Sequence, residues 1–121
     1  MFRDMLMLAG AAPPSLADER GWKPFLDVYK VRNGWLVKVD LAGVCPNEVS
    51  VCLTGRLVTI RGIRRDLCIE EGCCQYRMEI SYSRFERSVE LPCELGIAAI
   101  STEYRDGMLL IRIQCEGCPN E

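Results

Sequence analysis

The stretch WLVKVDL, residues 35–41, alternates between two kinds of side chain without a break. In an extended chain, successive side chains point to opposite faces. Trp35, Val37, Val39 and Leu41 therefore share one face, and Leu36, Lys38 and Asp40 share the other. Asn33–Gly34 stands just before the stretch, and an N-G pair is the strongest short-range signal for a β-hairpin. A sheet made this way has one apolar side and needs a second layer to cover it.

The same pattern recurs along the chain. Phe25, Asp27 and Tyr29 lie opposite Leu26, Val28 and Lys30. A loop with Gly43 and Pro46 leads to Val49, Val51 and Leu53 on one face. Gly55 marks a turn, after which Val58 and Ile60 oppose Leu57, Thr59 and Arg61. A polar insert, IRRDLCIEEGCCQ, reads as an exposed loop around Gly72, and YRMEISYS then resumes an extended pattern. FERSVELP is a strand ended by Pro92, which has no N–H for a ladder. IAAISTEY and MLLIRIQ are joined by a turn at Asp106–Gly107. This predicts about eight or nine short strands at regular spacing. The expected fold is all-β, an immunoglobulin-like two-sheet antiparallel sandwich. Residues 1–21, with Pro13 and Pro14, read as a short flexible tail. Residues 22–115 form one domain, and residues 116–121 a vestigial or truncated C-terminal extension.

Composition removes several kinds of chemistry. The 121 residues contain no histidine, so imidazole bases and His-containing metal sites are excluded. The net charge of -2 gives no electrostatic reason to expect nucleic acid. LTGRL and IRGIRR lack the glycine spacing of phosphate-binding loops. Glu70, Glu71, Glu79 and Glu86 read as charge on turns or exposed faces, not as a catalytic set. No apolar run approaches the roughly 18 residues of a membrane-spanning helix. Met5–Ala12 is apolar, but Asp4 flanks it and the preceding residues are hardly positive, which argues against a signal peptide.

Eight cysteines are many for this length. With 49% apolar residues the domain can fold without bridges, so mostly free thiols in a cytoplasmic protein are expected. Cys115 and Cys118 have C-x-x-C spacing. Pro119 and the end of the sequence follow them, with no helix to lower a thiol pKa. Cys68, Cys73 and Cys74 could join them in a sulfur-only zinc site, but adjacent cysteines chelate poorly. Cys45, Cys52 and Cys93 read as small apolar residues, and oxidation that links subunits is a further possibility to test. No metal and no cofactor are expected.

Taken in order, these motifs resemble those of the small heat shock protein, alpha-crystallin family. FLDVYKVRNGWLVKVDLAGVCPNEVSVCLTGRLVTIRG resembles the first half of the family domain. SRFERSVELP resembles its S-F-x-R-x-F-x-L-P strand. TEYRDGMLLIRI resembles its A-x-x-x-n-G-x-L signature, with Thr102 in the Ala position. Phe85, Leu91, Pro92, Gly107 and Leu109 hold the signature positions.

The resemblance implies an ATP-independent holdase that binds partly unfolded proteins and prevents their aggregation, not an enzyme. The alternative is a co-chaperone or adaptor domain on the same sandwich. The resemblance also implies a homodimer made by strand exchange, and at most a modest higher oligomer. The exchanging arm is roughly Arg64 to Ser83, with Tyr76, Met78, Ile80 and Tyr82 on one face. Arg87 shares a face with Phe85, Val89 and Leu91, so its charge should be paired or leave through an interface; in the family the matching arginine lies at the dimer interface. A docking groove is expected at Val51, Leu53, Ile97, Ala99 and Ser101, with Ile100 an equally good choice of face. The family's I-x-I/V motif is missing after Gln114. The letters IRI at 111–113 fall inside the last strand and read as core.

Overall fold

The computed structural model describes residues 21–67, 70–96 and 98–115. Seven strands lie within them: β1 Leu26–Val31, β2 Gly34–Asp40, β3 Ser50–Thr54, β4 Leu57–Ile63, β5 Arg84–Glu90, β6 Ala99–Arg105 and β7 Met108–Gln114. All neighbours are antiparallel. One sheet has the order β1-β2-β7-β6 and the other β3-β4-β5. The two form the expected sandwich. The tail at 1–20 and the extension at 116–121 lie outside the described residues.

Two short loops set the hairpins. Asp106 and Gly107 both have positive φ, 52° and 80°, as a type I′ loop requires. They join Arg105 directly to Met108. Gly55, at φ 59°, opens the loop between Thr54 and Leu57.

The first hairpin turns one residue earlier than expected. Val31 pairs with Gly34, so the loop is Arg32–Asn33, with Asn33 at φ 62°. Gly34 is the first residue of β2 and serves a different purpose. A Cβ there would stand 1.9 Å from the Ile113 carbonyl oxygen. Glycine is required because the β7 backbone passes so close.

The inner faces follow the alternation. Val37, Val39 and Leu41 meet Leu109, Ile111 and Ile113 across the first sheet, and Val58 and Ile60 face them from the second. Phe85, Leu91, Leu95 and Val44 close the ends. Each such aliphatic burial contributes about 1.5–3 kcal/mol. IRI is therefore core: Ile111 and Ile113 are buried and Arg112 points outward. Leu41 N–H donates to the Gly107 carbonyl at 2.8 Å, and Tyr104 OH donates to the Leu41 carbonyl at 2.9 Å. These bonds tie the G-x-L turn to the end of β2.

Among the described residues, QYRMEISYS joins neither sheet in the single chain. A period of two makes a segment competent to be a strand, but a ladder also needs a neighbour with a free edge.

Candidate interaction surface

Ile63 ends β4 opposite Arg84, the first residue of β5. The chain between them leaves the sandwich and returns to the same point. Arg64 N–H donates to the Ser83 carbonyl at 3.0 Å. The Arg64 side chain donates to the Ser81 carbonyl at 2.9 Å through Nε and to the Ala42 carbonyl at 3.2 Å through Nη1. Its guanidinium stacks 3.6 Å from the centre of the Trp22 ring and lies 5.9 Å from that of Tyr82.

Trp22 in turn meets Phe85 edge-on, with centroids 5.3 Å apart, and its backbone N–H donates to Ser83 Oγ at 3.0 Å. Phe85 lies over Gly62, where a Cβ would stand 2.6 Å from the ring. One arginine thus joins the base of the arm, the segment before β1 and the loop after β2. Sequence reasoning gave neither Arg64 nor Trp22 a role of its own. The only signal was an arginine directly after the I-R-G-I strand end, at the start of a long insert.

Along the arm, Tyr76 is 100% exposed, Met78 50%, Ile80 60% and Tyr82 38%. Between them, Arg77 Nε donates to Glu79 Oε2 at 2.7 Å. The four apolar side chains thus stand exposed along a stretch that belongs to neither sheet. Among the described residues β1 lies at the edge of its sheet, its Val28, Tyr29 and Val31 are exposed, and Phe25 just before it is 83% exposed.

Arg87 sits on the inner face of β5, paired with Ile60. It is half-buried, and its Nη1 donates to the Pro24 carbonyl at 2.5 Å. Within the single chain, then, this charge has a backbone partner in the segment leading to β1. The bond also places β5 toward the β1 side of the sandwich and β3 toward the β6 side.

Val51 and Leu53 of β3 pair with Ile60 and Val58 and are half-buried on the inner face. On β6 the register shows which side chains share a face. Ala99 pairs with Gln114 and Ser101 with Arg112, so both lie on the outer face. Ile100 pairs with the buried Ile113 and Thr102 with the buried Ile111. Ile100 and Thr102 therefore lie on the inner face of β6. Ile97 lies outside the described residues.

Charge on the sheets is spent in surface pairs. Arg61 Nε meets Glu86 Oε1 at 2.9 Å, and this hydrogen bond raises the Arg61 pKa further. Glu103 is held below the ordinary glutamate range, first by its hydrogen bond to Arg105 and then by Arg112 Nη1 at 3.0 Å. Cys45, Cys52 and Cys74 are exposed thiols, whereas Cys73 is disulfide-bonded. No group of three His, Cys, Asp or Glu among the described residues is placed to hold a metal ion. Among the same residues no helix is long and apolar enough to cross a membrane.

With this geometry in hand, the chain can be set beside known proteins. A model of the "Hsp20/alpha crystallin family" matches residues 27–120. "Small heat shock protein C2" of Rickettsia felis is 26% identical over 101 residues, which is 84% of this chain and 66% of that protein. The "19.0 kDa class II heat shock protein" of Oryza sativa subsp. japonica is 33% identical over 96 residues, 73% of this chain and 55% of that protein. Among solved structures, hspA from Xanthomonas axonopodis superposes with a TM-score of 0.66 at 29% identity, covering 81% of this chain and 98% of that one. The chain spans two thirds or less of the length of these two curated relatives.

Proposed function

The chain belongs to the Hsp20/alpha crystallin family, whose members are non-catalytic chaperones, and on that premise we propose that it is an ATP-independent holdase. It binds unfolded or partly folded proteins and keeps them from aggregating. The observation that carries this is the exposure of four apolar side chains on the arm, Tyr76, Met78, Ile80 and Tyr82. Monomeric soluble proteins seldom leave so much apolar surface open, and where they do it marks an interaction site. The exposed edge of β1 is its complement, since an edge strand offers unpaired backbone groups to any extended segment.

In this proposal two copies exchange arms, each setting these side chains against the β1 edge of the other. Arg87, beside the segment that leads into β1, lies at the interface they form. The groove between Val51 and Leu53 on β3 and Ile100 and Thr102 on β6 takes extended apolar segments. A dimer or a modest oligomer follows.

The test is light scattering from a heat-labile client, without ATP, at equimolar and lower chaperone concentrations. Suppression of scattering is expected, and it should weaken in a Tyr76→Ser/Ile80→Ser variant. Unchanged aggregation at equimolar protein would remove the holdase. Sedimentation should give a dimer for the parent chain and a monomer for the variant. A parent chain that stays monomeric at tens of micromolar would remove strand exchange.

A further inference from the structure

Cys93 and Cys115 are 22 residues apart in sequence, yet their sulfurs lie 3.7 Å apart. Cys93 stands in the loop between β5 and β6 and is half-buried. Cys115 directly follows β7 and is 5% exposed. Both positions are fixed by backbone bonds. Leu91 and Leu95 N–H groups donate at 2.8 Å to Arg56 and Gly55 carbonyls, which hook the loop of Cys93 onto the β3–β4 turn. Cys115 N–H donates to the Asn33 carbonyl at 2.9 Å, and its Sγ donates to the Glu94 carbonyl at 3.3 Å. The two thiols therefore face each other across the seam between the sheets, one carried by each.

We propose that Cys93 and Cys115 form a reversible intrachain disulfide that staples the two sheets together under oxidising conditions. A bond length of about 2.05 Å asks the sulfurs to close by roughly 1.7 Å. Neither residue lies inside a strand, so that movement breaks no ladder. The half-buried Cys93 is the side a small peroxide reaches first. Its thiolate attacks hydrogen peroxide and becomes a sulfenic acid, with hydroxide leaving. The Cys115 thiol then attacks that sulfur. The S–S bond forms and the sulfenic oxygen leaves as water, so two thiols and one peroxide give one disulfide and two waters. C-x-x-C spacing alone would make Cys118 the partner of Cys115. The 3.7 Å between sulfurs points to Cys93. This inference does not rest on the chaperone reading.

The experiment is stoichiometric hydrogen peroxide treatment of the full chain, alkylation of the remaining thiols, and tryptic mapping. Beside the bond already present at Cys73, one new linked pair is expected, peptide 88–105 with peptide 113–121. It should persist in Cys118→Ser and vanish in Cys93→Ala, the less buried member of the pair, and on reduction. The oxidised chain should melt about 5–10 °C above the reduced one, and Cys93→Ala should show no such rise. Loss of the link in Cys118→Ser, a link only between chains on a non-reducing gel, or no link at all would each overturn the proposal.

Discussion

The β2 strand and the arm between β4 and β5 carry the same kind of pattern and meet opposite fates. Val37, Val39 and Leu41 are fully buried, whereas Tyr76, Met78, Ile80 and Tyr82 stand in solvent. The difference lies in what each segment can reach. β2 has β1 on one side, β7 on the other and a second sheet above it. The arm leaves the sandwich at a point where its two ends are already bonded together, and among the described residues it pairs with neither sheet. Alternation specifies a one-sided segment, and topology decides whether that side is covered from within or left for something else.

This contrast can be broken by cutting side chains on each side of it. Ile111→Ala should cost about 2–5 kcal/mol of unfolding free energy, read from urea denaturation at a concentration where one species sediments. Ile80→Ala should change the same quantity by less than about 0.5 kcal/mol while shifting the association equilibrium. Equal losses at the two sites would mean that the arm packs on its own sandwich.

Arg87→Ala comes next. It removes a charged donor from a half-buried site and leaves the Pro24 carbonyl unpaired, for a loss of about 1.5–3 kcal/mol. A loss seen in dimer dissociation and absent from unfolding of the monomer would place the residue's whole effect at an interface. Arg64→Ala sharpens the comparison from the arm's side. Losing the stack on Trp22 and two hydrogen bonds should cost about 1–2 kcal/mol. Limited proteolysis between 64 and 83 should quicken several-fold, with cleavage elsewhere unchanged.

The smallest effect is electrostatic. The Glu103 pKa is depressed in the folded chain, chiefly by Arg105. Its contribution is therefore present above the ordinary glutamate range of about 4.3. It is lost as pH falls from there through the lower folded value. The Tm of the parent chain should dip slightly in that acid window, and Glu103→Gln should flatten this part of the profile. Because the pairs lie at the surface, salt should shrink the difference.

Much of the sandwich is legible from sequence because its rules are local. Period-two runs mark the faces, and Asp106–Gly107 fixes a two-residue loop. The groove is legible in principle too. That loop pairs Arg105 with Met108, and counting back pairs Ile100 with Ile113 and Thr102 with Ile111. The loop alone thus suffices to put Ile100 inside and Ala99 and Ser101 outside. The role of Gly34 is hidden because the N-G signal concerns φ, whereas the need at Gly34 is room for a strand that arrives about 80 residues later. Arg64 is hidden for a similar reason: its partners, Trp22, Ala42 and Ser81, come from three separate stretches.

The bond from Arg64 N–H to the Ser83 carbonyl also sets a length. With its ends pinned together, the chain between them can project only half its contour. That is about nine residues, or roughly 30 Å even when fully extended. Any partner the arm engages while its base stays closed must therefore sit within about one domain diameter. The bond makes the arm a short boom on a fixed mast, able to choose its bearing but not to lengthen its range.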